Sequence, residues 1–391
     1  MMNDPRAVAA ASPAAPVRLK PNTSKSVIKI IFAITAALVA LLLGLIVLLL
    51  IGVETGVVPL LIGLISATLP VPLYLMLVLW IDRYEAEPLW MLATAFFWGA
   101  LVAVFFAYLI NTASGLIVTG LTNDVRAGAA FGAVISAPIV EESAKALILF
   151  IFFFAKKDEF DGVIDGIVYA AMVGLGFAMT ENIQYYGRAV MQAGGEGLTV
   201  VFIIRGALAP FSHPMFTSLT GIGLGLARLS RNTLVKIIAP IFGLAAAISM
   251  HSIWNGSAVI FGAGGFILAY ILIMVPSFFI MFVVIALALW REGKVVREYL
   301  TPDFQSGLIN QQEFNQLGSI FGRMGAAYGA FSRGGFRGWQ TCRQLNQTAS
   351  ELAFHRARLA RGIAIRDAAE REAAYRLAME DLLRQLRAAG K

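Results

Sequence analysis

Glu141, Glu142 and Lys145 stand inside a run, Phe131 to Phe154, that is otherwise apolar over the length of a bilayer crossing. A charged group at that depth costs about 2.5–3.5 kcal/mol on insertion scales, so it turns toward a bundle interior or a cavity and usually carries function. The same constraint recurs downstream, with Glu181 and Asn182, then Arg205 and His213, then His251 and Asn255 in successive apolar stretches. A chain that places acids, amides and imidazoles in several such helices builds a polar site within the membrane.

The composition agrees. Hydrophobic residues make up 58% and charged residues 14%, against roughly 25% charged in soluble domains. About eight spans are expected: Val27–Gly52, Val57–Ile81, Leu89–Val118, Ala127–Phe154, Gly162–Tyr186, Leu198–Leu226, Leu234–Phe261 and Phe266–Trp290. The third is long enough to hold a span plus a short external segment. The fold class is therefore all-α, a polytopic transmembrane bundle over 25–300. It is preceded by a 1–24 arm rich in Ala, Pro and Ser, expected to be disordered, and followed by a basic, partly helical tail over 301–391.

Lys and Arg in the connections set the orientation. Arg6, Arg18, Lys20, Lys25 and Lys29 share a side with Arg83, Lys156, Lys157, Arg228, Arg231 and Lys236, whereas only Arg126 and Arg188 lie opposite. Both termini are expected in the cytoplasm of a multi-pass cell-membrane protein, and no cleavable signal peptide is evident. From Arg291 onward there are 16 basic and 10 acidic residues, a balance attracted to the bilayer's anionic leaflet. No nucleic-acid motif accompanies the charge. The single Cys342 excludes an internal disulfide and a multi-cysteine metal site. In the tail, Leu352, Leu359 and Ile363, then Leu377, Leu382 and Leu386, recur at helical spacing and suggest solvated amphipathic helices. Gly334-Gly335 should break the chain before them.

On a helix, Lys145 neighbours Glu141 at i,i+4 and Glu142 at i,i+3. The two acids lie about 100° apart around the axis, so one can face a reaction cavity while the other pairs with Lys145. Glu181 follows Phe177 by one turn and has no basic neighbour on its own helix, so it needs a partner, a metal or a proton. His213-Pro214 should kink or break its helix. His251 and Asn255 share a face, with Trp254 beside them.

Together these residues resemble the PrsW family of intramembrane proteases, related to the CAAX-type prenyl proteases and bacteriocin-processing enzymes. The resemblance runs from about Ile81 to Leu300. It rests on Asp82-Arg83-Tyr84-Glu85-Ala86-Glu87-Pro88, Glu141-Glu142-x-x-Lys145, Asp165-Gly166-Ile167-Val168-Tyr169, Phe177-x-x-x-Glu181-Asn182, Arg205 with His213, and His251-x-x-Trp254-Asn255. The wider superfamily has His where this chain has Glu181. The resemblance implies cleavage of membrane-anchored proteins, anti-sigma factors being the known type of target.

Peptide hydrolysis needs a base for water, a donor for the leaving amine and a dry oxyanion site. Glu141 is the expected base, Glu142 its support through Lys145, and Asn255 an oxyanion donor. Asn182, Arg205 and Trp254 are expected to line the site. In one reading Glu181, His213 and His251 bind zinc with an open position for water. In the other there is no metal, and the histidines with Asn255 act on the oxyanion directly. A proton-coupled transporter would also bury charges, but repeated halves and paired broken helices are not evident. An inactive scaffold would lack part of this residue set.

Overall fold

The computed structural model describes residues 23–362 and 367–389, in which every regular element is a helix. In chain order these are α1 (Thr23–Thr55), α2 (Val57–Thr68), α3 (Val71–Ile81), α4 (Leu89–Phe97), α5 (Val104–Thr122), α6 (Val125–Phe131), α7 (Ala137–Ala155) and α8 (Val163–Phe202). They continue with α9 (Ser212–Leu229), α10 (Thr233–Ala269), α11 (Val275–Gln305), α12 (Gln311–Leu317), α13 (Ile320–Ala360) and α14 (Ala368–Ala389). Four π-helical segments, Trp98–Ala103, Gly132–Ser136, Ile203–Leu208 and Tyr270–Met274, join neighbouring helices.

Five stretches are long and apolar enough to cross a membrane: Ile30–Thr55, Val57–Ile81, Leu89–Thr122, Val163–Leu229 and Thr233–Gln305. The expected count of eight divided the chain differently. The last two stretches run 67 and 73 residues, with non-helical backbone at Ala193 and Gly194 in one and at Gly262 in the other. The segment holding α7 is not among the five, and its three charges lower its apolarity. The third expected span lies within a continuous helical run of 34 residues, Leu89–Thr122. Most of the arm expected over 1–24 lies outside the described residues, while Thr23 and Ser24 already belong to α1.

Helix α8 is the axis of the bundle. Its first half is mostly apolar, with Asp165 near its start, and is buried on all sides, with α9, α2, α3 and α4 packed around the helix. Outward-facing residues such as Leu49 and Phe279 are exposed and apolar, as a lipid-facing surface requires. The approach of α9 to α8 depends on Gly174, where an added Cβ would meet the Pro214 nitrogen at 2.6 Å. Small residues at such crossings let backbones pack closely.

The tail is more helical than its glycine content suggested. Residues 320–334 are helical, the chain turns at Gly335 with φ +58°, and the second limb of α13 returns. Leu345, Leu352, Met379 and Leu383 join Tyr84, Phe160 and Leu300 in one core cluster, so the expected solvated helices are docked on the bundle. Leu377 stays exposed, and Ile363 lies outside the described residues. Arg358 reaches Glu85 at 2.7 Å and Arg361 reaches Asp161 at 2.9 Å. The tail thereby covers the bundle end that carries Arg83, Lys156 and Arg228, called the basic end below.

Candidate functional site

The acids of α7 divide their work by rotation about the helix axis. Glu141 lines a cavity of about 1240 Å³, whereas Glu142 is fully enclosed. Glu142 accepts from Lys145 Nζ at 2.8 Å and from Thr217 Oγ1 of α9 at 2.9 Å, and its Oε1 lies 3.0 Å from His251 Nδ1. Three partners satisfy a carboxylate that would otherwise carry a large desolvation cost. Lys145, equally enclosed, also lies 3.5 Å from Glu141 Oε2 and 3.0 Å from His213 Nδ1, with its ammonium 3.9 Å from the Phe177 ring centroid.

Glu141 has two differently placed oxygens. Oε2 faces inward, 4.0 Å from His251 Nε2, while Oε1 accepts from Asn111 Nδ2 of α5 at 3.4 Å. Asn111 is held in turn by Ser136, which donates to its Oδ1 at 2.9 Å, and Ser136 accepts from Ser114 at 2.8 Å. The Gly132–Ser136 π segment precedes α7 directly, and Pro138 opens α7's first turn. Such π segments leave backbone carbonyls free and concentrate at functional sites. One freed carbonyl, Ala133 O, accepts from Asn255 Nδ2 at 2.9 Å. The expected oxyanion donor therefore spends one of its two amide hydrogens on holding α10 to this segment.

The imidazoles sit behind Glu141. His213 enters on the first turn of α9, just after the chain breaks at Ala209–Phe211, so the break expected at His213-Pro214 falls slightly earlier. Its ring centre is 5.2 Å from that of His251, and His251 stacks on Phe216 at 5.1 Å. Glu141, His213 and His251 each offer a ligand atom, all within 4.8 Å of one another.

Glu181 stands differently from its expected place in a ligand set. It is paired with Arg205 Nη2 and lies 2.9 Å from His213 Nε2. Arg205 Nε also donates to Asn182 Oδ1 at 2.5 Å, and the guanidinium lies over the Tyr185 ring. Glu181, Arg205, Trp254 and Asn255 all border the cavity with Glu141, whereas Asn182 touches it only through Arg205. Trp254 packs on Phe266 at 4.7 Å between ring centres. The structure thus brings together the acid and imidazole tips from α7, α8, α9 and α10. Asn111, Ser114, Ser136 and Thr217 were not expected. Single small polar residues in apolar helices carry no periodic signal, and only their placement one or two turns from the acid-bearing faces could have suggested them.

Glu141, His213 and His251 are close enough to hold a metal ion, with the Lys145 ammonium 3.0 Å from His213 Nδ1 and Glu181 2.9 Å from its Nε2. Three carboxylates face two formal cations, Lys145 and Arg205, which leaves one negative charge in excess. Glu142 on His251 Nδ1 is the orienting contact that metal-bound imidazoles usually have, and it leaves Nε2 toward Glu141.

Fold and site together define a helical membrane protein with five candidate spans and a buried carboxylate–imidazole centre beside a large cavity. The family model described as PrsW family intramembrane metalloprotease matches residues 87–281. The protein named Protease PrsW from Geobacillus kaustophilus is 35% identical over 151 residues, 38% of this chain and 59% of its own. That from Bacillus subtilis is 33% identical over 152 residues, covering 38% and 61%. That from Oceanobacillus iheyensis is 28% identical over 195 residues, covering 50% and 82%. Over residues 87–281 this chain is similar to the PrsW family. It spans about three-fifths of the length of the first two relatives. No solved structure matches it.

Proposed function

We propose that the chain is an intramembrane endopeptidase that hydrolyses a peptide bond of a membrane-tethered protein, of the anti-sigma-factor type. The observation that carries this reading is the split between the adjacent acids. Glu141 borders the cavity, and Glu142 is locked behind it by Lys145, Thr217 and His251.

Glu141 Oε1, on the cavity side, takes the proton of the attacking water and returns it to the leaving amine. Asn111 fixes that oxygen. Glu142 and Lys145 hold α7 in register with His213 and His251 and supply a nearby positive charge. Asn255, through its remaining amide hydrogen, and Arg205 at the cavity wall are the donors available to a developing oxyanion.

The residues that would hold a metal are Glu141 through Oε2, His213 and His251. The mixed carboxylate–imidazole set is one that catalytic zinc uses. Such an ion, when bound, supplies a Lewis acid for the carbonyl and for water. Glu181, expected as a ligand, serves in this reading as the hydrogen-bond partner that turns His213, with Arg205 balancing its charge. A metal-free second reading rests on Lys145, whose ammonium already contacts Glu142 and His213 Nδ1. Metal content of the purified protein separates the two.

The distribution of Lys and Arg supports about eight crossings, with both termini and the tail on the cytoplasmic side. The full chain, reconstituted with a single-span substrate, tests the function. Cleavage that disappears in Glu141→Gln, with helicity and thermal midpoint retained, supports the reading. Undiminished cleavage in that variant contradicts it.

A further inference from the structure

The tail carries an apolar face that the rest of the chain leaves uncovered. Between Glu313 and Glu351 there is no acidic residue, and the charged residues are Arg323, Arg333, Arg337 and Arg343. In the first limb of α13, Phe321, Met324, Tyr328 and Phe331 are 84%, 45%, 76% and 52% exposed. Spacings of three, four and three residues put them on one helix face. The opposite face is engaged. Arg323 lies 4.3 Å over the Tyr84 ring and donates to Ser350 Oγ at 2.7 Å, and Ala330 is buried against Gly338 of the returning limb. The two limbs form a hairpin with a packed inner side and an aromatic outer side.

The level of the hairpin decides which solvent that side meets. Three tryptophan–cation pairs mark the basic end of the bundle: Arg83 over Trp80 at 4.4 Å, Lys156 over Trp90 at 5.0 Å and Lys294 over Trp290 at 3.5 Å. Tryptophan gathers at the headgroup level of a bilayer. The hairpin is tied to that level at both limbs. Arg323 rests on Tyr84, which follows the end of α3 at Ile81; Gly318 packs on Gly293 beside Trp290; and Arg358 of the returning limb pairs with Glu85 at 2.7 Å. An apolar helix face at headgroup depth, flanked by arginines with no acid among them, has the make-up of an in-plane helix on anionic lipid.

We propose that the 320–343 hairpin is a lipid-docking site that lays Phe321, Met324, Tyr328 and Phe331 into the anionic leaflet around the bundle. It lies outside the residues matched by the family model and stands apart from the reading of the buried centre.

The test uses the full chain, with Cys342→Ser, in nanodiscs of phosphatidylcholine alone or with phosphatidylglycerol. Nitroxides are placed at Tyr328→Cys and Phe331→Cys, with Glu380→Cys on the exposed side of α14 as the aqueous control. With phosphatidylglycerol, the labels at 328 and 331 should collide at least two-fold more with oxygen than with a water-soluble nickel chelate, and the control should show the reverse. Arg333→Glu with Arg337→Glu, or removal of phosphatidylglycerol, should shift both labels toward the control. Water-like accessibility at 328 and 331 in the anionic discs overturns the proposal. So does lipid-like accessibility indifferent to headgroup charge and to the double variant. Shielding from both reagents that is relieved by dilution also overturns it, because a second copy then covers the face.

Discussion

Thr217 is the residue whose removal most cleanly separates the support of the centre from its cavity-facing edge. Its hydroxyl is enclosed and donates to Glu142 Oε2. Thr217→Val keeps the volume and leaves one carboxylate oxygen without its donor, which costs about 1–3 kcal/mol. The denaturation midpoint in detergent should fall accordingly, with cleavage reduced in parallel; an unchanged midpoint would remove Thr217 from the frame. The sequence made the outline of this centre legible because each buried charge in an apolar helix is conspicuous. It made the pairing less legible. Glu181 had no partner on its own helix, and nothing in the linear order said that Arg205 and His213 would meet it. The different duties of Glu141 and Glu142 followed from their 100° separation alone, but which acid faced the cavity did not.

At the scale of elements, the close crossing of α8 and α9 positions His213. Gly174→Ala would drive a methyl into the Pro214 backbone, so α9 must shift. The expected outcome is loss of most activity and weakened metal retention, read by assay and by metal analysis of the same preparation. Wild-type values for both would show that the crossing tolerates a side chain. A second prediction concerns the connection between α3 and α4. Burial first, with the Asp165 charge adding, pushes the Asp82 carboxyl up to about 8 from 3.8, and burial first pushes Glu87 up to about 12 from 4.5. Above pH 4.5 the folded chain keeps protons that the unfolded chain releases, so stability falls as pH rises, and Asp82 contributes until about pH 8. The unfolding midpoint in detergent should drop between pH 5 and pH 8, and Asp82→Asn should flatten that slope. A midpoint that rises over this window contradicts the assignment. The tail shows why some elements were hard to read. The 320–334 limb carries four glycines, a composition unfavourable to an isolated helix, and its helicity follows from packing against Tyr84 and the returning limb.

For the whole molecule, the side that each connection occupies decides where a substrate meets the cavity. Reporter fusions after Val118 and after Gly293 should give external and cytoplasmic signals respectively; the reverse pattern would invert the topology. The central claim is that Glu141 is a working carboxylate at the edge of the cavity and not merely a partner of Lys145. The most direct measurement is cleavage of a single-span substrate by reconstituted Glu141→Gln, with folding and bound zinc determined on the same sample. Glutamine preserves shape and cannot take water's proton, so the rate should fall by about 10²–10⁴-fold with a thermal midpoint close to wild type. In the metal-bound reading, retained metal should decrease as well, because Glu141 is grouped with His213 and His251. A folded Glu141→Gln that cleaves at the wild-type rate would contradict the account.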